Sequence, residues 1–136
     1  MTVNNEVKDG IIFPLGDENK DYAQYFIGKS YLAGLVNEPQ LTVGVANVTF
    51  EPGCRNNWHK HIGGYQLLLV TGGEGWYQEA GKDPKKLMPG DVVVTYEGVK
   101  HWHGATKDSW FSHIAITSGT AEWLEAVKDD QYDTLE

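Results

Sequence analysis

The sequence predicts an all-β fold, either a sandwich or a barrel, in a single domain. Short β-prone runs follow one another from Phe26 to Thr117, and the turns between them carry Gly or Pro. Three such turns are EPGCR (51–55), GGEG (72–75) and MPGD (88–91). A chain of 136 residues is long enough to bury one core without staples. Many short strands with regular turns in one small domain favour a closed antiparallel architecture.

The chain divides into an arm, a barrel and a tail. Residues 1–25 are polar and charged, and Pro14 and Gly16 disfavour a helix, so we expect an irregular arm that covers a sheet edge or a partner subunit. Residues 26–119 contain the predicted barrel strands. These strands are FIGKSYLAGLV, LTVGVANVTF, YQLLLVTG, GWYQEAG, DVVVTY and WFSHIAIT.

Residues 120–136 are predicted to form a short terminal helix and a tail. In TAEWLEAVKDDQY (120–132), Trp123 and Val127 lie four residues apart, Leu124 lies beside them, and Thr120 is a suitable N-cap. We expect Trp123 to pack the helix on the exterior of the barrel.

Composition limits the classes of partner. The formal net charge of −8 and the pI near 5.0 argue against a nucleic-acid partner, which would need clustered Lys and Arg. No apolar stretch approaches the roughly 20 residues of a membrane helix, so no membrane partner is expected. The start MTVNNEVKDG has no signal-peptide pattern, and the single Cys54 has no internal disulfide partner. We therefore expect a cytoplasmic protein in which Cys54 is a small buried hydrophobe.

The segment HKHIGGYQ (59–66) has the spacing of a chelating site. Residues i and i+2 of a strand point to one face about 6.6 Å apart, so His59 and His61 present two imidazoles to one centre. After the turn at IGG, an antiparallel return brings Gln66 alongside, and its amide oxygen is a neutral third donor. The alternative is the polar face of an edge strand.

A further imidazole comes from PGDVVVTYEGVKHWHG (89–104), where His101 begins a strand after a glycine turn. Three imidazoles and one oxygen suit one divalent first-row metal ion and leave two octahedral positions open. His103 shares the face of His101, and we expect it at the rim of the site or behind the ligands. All five histidines of the chain fall in these two regions and in the strand after them; they are residues 59, 61, 101, 103 and 113.

These residues resemble the first motif of the cupin superfamily. That motif has Gly, five residues, His-x-His, three or four residues, Glu, six residues and Gly. Gly53, His59, His61, Gln66 and Gly73 have this spacing. The departure is Gln66, where most cupins have Glu.

The second cupin motif is matched by Gly90, Gly98 and His101, with Tyr96 in place of a proline and Ala105 in place of the usual asparagine. Together the two motifs cover residues 53–105. The resemblance implies a conical double-stranded β-barrel, also called a jelly roll, with the N-terminal arm and the short C-terminal helix outside it.

A narrower resemblance covers VTFEPGCRNNWHKH, GEGWYQ, PGDVV, KHWHGA and SHIAI. They are similar to small single-domain (type-2) bacterial cupins of the manganese-dependent hydroxynitrile-lyase-like kind, related to cupins associated with carboxymuconolactone decarboxylases. Those proteins also use a glutamine as a metal ligand, around manganese or iron; zinc, nickel, cobalt and copper are the alternatives here. The resemblance implies that His113 lies near the open metal positions and that Ala46 and Val48 line the substrate pocket.

The remaining candidate is Trp102, which lies between two histidines and is expected in the substrate pocket together with His103. The alternative for the tryptophans is that they fill the barrel. For His113 the alternative is a hydrogen-bonded core histidine.

The function expected is that of a metal-dependent enzyme acting on a small organic molecule. Gln66 in place of Glu leaves the site one unit more positive, which favours an alkoxide-like ligand and hence lyase or proton-transfer chemistry with His113 as general base. The first alternative is an iron dioxygenase, the second a ligand-binding module without catalysis, and the third a structural barrel without metal. A homodimer formed through a sheet edge is expected, and the substrate and native metal stay open.

Overall fold

A computed structural model of the protein describes residues 12–135. A 3-10 turn spans Ala23–Tyr25 and one helix, α1, spans Asp129–Tyr132. The strands are β1 (Asp17–Glu18), β2 (Phe26–Ile27), β3 (Ser30–Val36), β4 (Val43–Phe50), β5 (Arg55–Asn56), β6 (His59–Ile62), β7 (Gln66–Gly73), β8 (Gly75–Glu79), β9 (Lys85–Leu87), β10 (Val92–Thr95), β11 (His101–Ala105), β12 (Phe111–Ser118) and β13 (Thr120–Trp123).

The strands form two antiparallel sheets. The first has six strands in the order β1-β3-β4-β12-β7-β10. The second has the order β13-β6-β11-β5-β2, and β8 also pairs with β11 while β9 pairs with β8. The predicted all-β jelly-roll barrel is therefore confirmed.

Alternation along each strand decides which side chains enter the barrel. In β7 the buried residues Gln66, Leu68 and Val70 alternate with the half-buried Leu67 and Leu69. The apolar core is formed by inward side chains of both sheets, and its members are Val48, Phe50, Cys54, Leu68, Val70, Tyr77, Leu87, Val93, Ala105, Phe111 and Ala115. Cys54 is a fully buried member of this core.

A second cluster joins the C-terminal segment to the barrel. It contains Trp58, Trp76, Trp102, Val127 and Tyr132. The buried Arg55 holds the segment in place, because its Nη2 donates to the carbonyl oxygen of Val127 at 2.9 Å and to Asp129 at 2.6 Å. Its guanidinium also lies 4.2 Å from the centre of the Tyr132 ring.

The terminal helix is shorter than expected, and the prediction for residues 120–128 is wrong. Thr120–Trp123 is strand β13, which pairs antiparallel with β6 and sets Trp123 opposite His59. The helix occupies Asp129–Tyr132 only. The cause is the open edge of β6, since pairing with an edge strand satisfies backbone groups that a helix would otherwise satisfy internally.

The N-terminal arm falls partly outside the described residues, because residues 1–11 are not among them. In the remainder, β1 pairs with β3 and covers that edge of the first sheet. Among residues 12–135, no helix has the length and apolar character needed to cross a membrane.

Gly73 lies where β7 meets the start of β12, and we expect its replacement to be costly. Its φ is 72°, and a Cβ there would collide with the backbone carbonyl of Trp110. Gly81 is a matched control, since its φ is 81° but a Cβ there meets only open space. Gly81→Ala should lower the free energy of unfolding by about 1 kcal/mol from the left-handed backbone alone. Gly73→Ala should lower it by about 2 kcal/mol more, because the collision forces the strands apart.

Urea unfolding of both variants measures this difference. Equal losses for the two glycines would contradict the close packing of β7 on β12 described here.

Candidate metal centre and its cavity

Three histidines meet where β6 and β11 pair. His59 lies opposite His101 in the antiparallel register, and alternation places His61 on the same face as His59. One ring nitrogen of each lies within 4.8 Å of the others. The ring centres of His59 and His101 are 4.1 Å apart, and that of His61 is 5.2 and 5.3 Å from them.

Backbone carbonyls fix the tautomers of two of these rings. Nδ1 of His59 lies 2.8 Å from the carbonyl oxygen of Asn57, and Nδ1 of His101 lies 2.9 Å from that of Val99. A carbonyl oxygen only accepts, so each Nδ1 carries the proton and each Nε2 keeps its lone pair. This is the arrangement by which proteins orient histidine ligands toward a metal.

Gln66 lies next to this histidine cluster and has a free amide oxygen. Its Nε2 donates to Oγ1 of Thr117 at 3.0 Å, while its Oε1 is buried without a partner. Gln66 lies beside His61 and partly opposes the fall in the pKa of that ring. With its NH₂ group bound to Thr117, Gln66 leaves its amide oxygen free.

Burial keeps the imidazoles uncharged. Desolvation is the largest cause that lowers the pKa of His59 well below its usual value, lowers that of His61, and lowers that of His101 to about 4. Neutral imidazoles are the form that binds metal ions.

The unpartnered polar atoms of the protein are concentrated here. Of the eight buried side-chain nitrogen and oxygen atoms that lack a hydrogen-bond partner among the described residues, seven belong to this region. They are His61 Nδ1 and Nε2, Gln66 Oε1, His101 Nε2, His103 Nδ1, and His113 Nδ1 and Nε2. Buried polar atoms are rarely left without partners, so this concentration fits a site that a metal ion and a ligand complete.

A cavity of about 430 Å³ opens above the histidines. Ala46 and Val48 of β4 lie in its wall, as the resemblance implied for the pocket. His59, His61 and Gln66 line it as well. No Asp, Glu, Lys or Arg is found among the described lining residues, so the wall carries no formal charge near neutral pH.

Two further histidines lie in the wall of this cavity. His113, on β12, is fully buried, and desolvation lowers its pKa to about 4. Its ring centre is 5.0 Å from that of His103, which lies on β11. His103 is 3 % exposed, so of the two positions expected for it the structure excludes the rim and leaves the one behind the ligands.

The expectation that Trp102 lines the substrate pocket is wrong. Trp102 lies between His101 and His103 on β11, and alternation turns it to the opposite face of the sheet. There it packs in the cluster with Tyr132, and its Nε1 donates to Gln78 at 3.0 Å.

The structure brings three further residues to the site that the sequence reasoning missed. Thr117 positions Gln66, Asn56 contacts His103, and Trp123 lies against His59 with ring centres 4.6 Å apart. Trp123 also stacks on Tyr25 at 4.7 Å, so its expected place on the exterior is wrong. Only Thr117 had a signal in the sequence, because it lies four residues after His113 and therefore on the same face of β12.

The chain matches the family model described as the cupin domain over residues 46–126, a range that includes all five histidines. This chain is a cupin. The His-rich cluster on β6 and β11 accordingly indicates a divalent metal site typical of cupins.

Two relatives of this cupin are similar over most of their length. It is 44% identical over 119 residues to an (R)-mandelonitrile lyase of Granulicella tundricola, a match that covers 83% of this chain and 89% of the relative. It is 39% identical to a cupin-like protein of Thermotoga maritima of known structure, with a TM-score of 0.86 over 92% of this chain and 96% of the other.

A more distant structure shows the fold alone. A predicted oxalate decarboxylase of Thermotoga maritima is 23% identical, with a TM-score of 0.64 over 70% of this cupin and 84% of the other chain.

Replacing Thr117 tests whether its hydroxyl orients Gln66. In Thr117→Val the amide loses its acceptor and rotates freely, so we expect the affinity for a divalent metal to fall by about 10-fold or more, as when partners of metal ligands are removed. Competition titration with a chelator measures the affinity. Thr49→Val is the control, because Thr49 is equally a hydrogen-bonded threonine, bound to Ser112 and outside the cavity wall. Equal affinities for the two variants would contradict the role of Thr117.

Proposed function

We propose that this cupin is a metal-dependent lyase that cleaves a 2-hydroxynitrile, the class of compound that includes mandelonitrile, into a carbonyl compound and hydrogen cyanide. The observation that carries the proposal is a set of four neutral donors at an uncharged cavity that also holds a separate neutral imidazole, His113. The (R)-mandelonitrile lyase that is 44% identical supports the choice of substrate class.

The cavity wall favours an uncharged substrate with an apolar end. Val48, Phe50 and Ala115 contribute apolar surface, and no cationic side chain among the described lining residues would pair with a carboxylate. A volume of about 430 Å³ lies within the range of small-molecule sites. An aryl or alkyl group of a hydroxynitrile fits this wall better than a dicarboxylate does.

We assign the metal to His59, His61, Gln66 and His101, with manganese or iron as the metal expected. When bound, a divalent ion would supply Lewis acidity that makes a substrate hydroxyl more acidic. Gln66 adds no negative charge where most cupins have Glu, so these residues would hold the ion without reducing its charge. His59 and His101 present Nε2 because the carbonyls of Asn57 and Val99 hold their Nδ1 protons.

His113 is assigned the proton transfers. Its ring is neutral above about pH 4, because burial disfavours the charged form. A ring nitrogen of His113 accepts the hydroxyl proton as the bond between the carbinol carbon and the nitrile carbon breaks. The electron pair leaves with cyanide, and His113 returns the proton to it, so hydrogen cyanide is released and the protein is unchanged.

Two alternative functions can be distinguished from the lyase by measurements on the same purified protein. An iron-dependent dioxygenase would consume oxygen with its substrate, whereas the lyase consumes none. A ligand-binding module would bind a small organic molecule without turning it over. The homodimer and the cytoplasmic location stay predictions, the first of which light scattering tests.

Elemental analysis of the untagged protein tests the metal ligands. Near-stoichiometric manganese or iron is expected in the wild type, and the double variant His59→Ala plus His61→Ala should lose it because two of four donors are gone. Lys60→Ala is the control, since Lys60 lies between them on β6 but faces outward. Metal retained by the double variant would overturn the assignment and favour the ligand-binding alternative.

The role of His113 is tested by separating metal binding from turnover. His113→Gln should keep the metal content of the wild type and lower kcat for mandelonitrile cleavage by about 10²- to 10⁴-fold, the usual worth of a general base. His101→Ala should lose both metal and turnover. Cleavage is followed by benzaldehyde absorbance, and unchanged kcat in His113→Gln would show that another group moves the proton.

A further inference from the structure

Among the described histidines of the cavity wall, His103 is the one whose ring is hydrogen-bonded to a side-chain amide, that of Asn56. The backbone N–H of His103 donates to Oδ1 of Asn56 at 2.9 Å, and Nδ2 of Asn56 lies 3.1 Å from Nε2 of the His103 ring. A backbone N–H can only donate, so the amide atom that it meets must be the oxygen. The atom that faces the ring is therefore the amide NH₂, and the orientation of Asn56 is fixed by chemistry.

This contact determines the tautomer of His103. An amide NH₂ can only donate, so Nε2 of His103 accepts and the neutral ring carries its proton on Nδ1. Nδ1 is buried and has no partner among the described residues, although the ring lines the cavity. Asn56 thus makes His103 a hydrogen-bond donor whose partner the protein does not supply.

We propose that His103, held as the Nδ1–H tautomer by Asn56, is a catalytic residue that donates a hydrogen bond to the nitrile nitrogen of the bound substrate. The proposal rests on the lyase function proposed above and adds a third component to the site, separate from the metal ligands and from His113. The nitrile nitrogen only accepts hydrogen bonds, so a fixed neutral donor is the partner that its chemistry requires.

The positions of the His103 and His113 rings agree with separate roles for them, His103 at the nitrile and His113 at the hydroxyl. The ring centres of His103 and His113 are 5.0 Å apart and their planes are inclined by 76°. In a 2-hydroxynitrile the hydroxyl and the nitrile are attached to one carbon, so a substrate lying against both rings offers one group to each. Negative charge develops on the nitrile carbon and nitrogen as cyanide leaves, and a preorganised donor stabilises that charge without transferring its own proton.

The first test reads the tautomer directly. Nitrogen-15 NMR of the full-length protein loaded with zinc, which is diamagnetic, distinguishes protonated from unprotonated ring nitrogens, and the signal missing in His103→Phe assigns the ring. We expect the proton on Nδ1 in the wild type. A proton on Nε2 in the wild type would overturn the proposal.

The second test removes the residue that fixes the tautomer. Asn56→Leu should release the His103 tautomer, with the proton divided between the two nitrogens or moved to Nε2. Asn47→Leu is the matched control, because Asn47 is an equally buried, hydrogen-bonded asparagine that does not line the cavity. It should keep the tautomer of the wild type.

The third test uses phenylacetonitrile, which has the nitrile but no hydroxyl and is not cleaved. Its binding should move the Nδ1 proton signal of His103 downfield, and Asn56→Leu should weaken its binding by about 10-fold, the worth of one hydrogen bond. Asn56→Leu should also lower kcat for mandelonitrile by about 10²-fold with metal content unchanged. The control Asn47→Leu should change neither quantity.

The outcomes separate the two proposals. If the wild type does not cleave mandelonitrile, the lyase function fails, while the tautomer and the phenylacetonitrile titration still decide whether His103 is a nitrile donor. If the wild type cleaves mandelonitrile but Asn56→Leu keeps its tautomer, its nitrile affinity and its kcat, the role of His103 is overturned and the lyase function stands.

Discussion

Burial of polar atoms without protein partners is the constraint on which this site depends. An unsatisfied buried donor or acceptor costs about 1–3 kcal/mol, and several together approach the whole free energy of unfolding of a domain, about 5–15 kcal/mol. Seven such atoms belong to Gln66 and three histidines in the wall of one cavity and to His101 beside it. The strands that carry them are the paired, closely packed strands of the barrel, so the geometry is set before any ligand arrives. A metal ion bound at this cluster would supply partners for several of these atoms and so offset part of the free-energy cost of burying them.

The wall of the described cavity carries no formal charge. Desolvation keeps the imidazoles neutral, and Gln66 supplies an oxygen without a negative charge. A divalent ion held by such donors would be the largest charge in a site of low polarity, where it acts on a substrate oxygen with little screening. An uncharged wall disfavours ligands that are already anionic before they bind. The proposed cleavage of a neutral hydroxynitrile meets the condition that the ligand be uncharged, whereas the binding of a dicarboxylate does not.

Strand alternation made much of the site predictable from the sequence. It placed His59 with His61 and His101 with His103, and the motif spacing added Gln66. Alternation alone does not distinguish the two H-x-H patterns, and it was the motif spacing that predicted His101, and not His103, as a ligand. The structure has both rings of the first pattern in the metal cluster but only His101 of the second. The difference comes from Asn56, which occupies Nε2 of His103 from a neighbouring strand, and contacts between strands depend on register rather than on local sequence. Trp123 was misplaced for a related reason, since its helical spacing with Val127 was overridden by pairing of β13 with the edge of β6.

The two residues of strand β5 contact the C-terminal segment on one face of the sheet and the histidine site on the other. Alternation turns Arg55 and Asn56 to opposite faces. Arg55 holds the C-terminal segment through the Val127 carbonyl and Asp129, while Asn56 holds His103. The same C-terminal region begins with β13, whose Trp123 lies against His59. Arg55, which anchors the C-terminal segment, is followed along the chain by Asn56 and Asn57. Asn56 orients His103, and the carbonyl of Asn57 orients His59. The anchor of the segment and the residues that orient two of the histidines are therefore neighbours in the sequence.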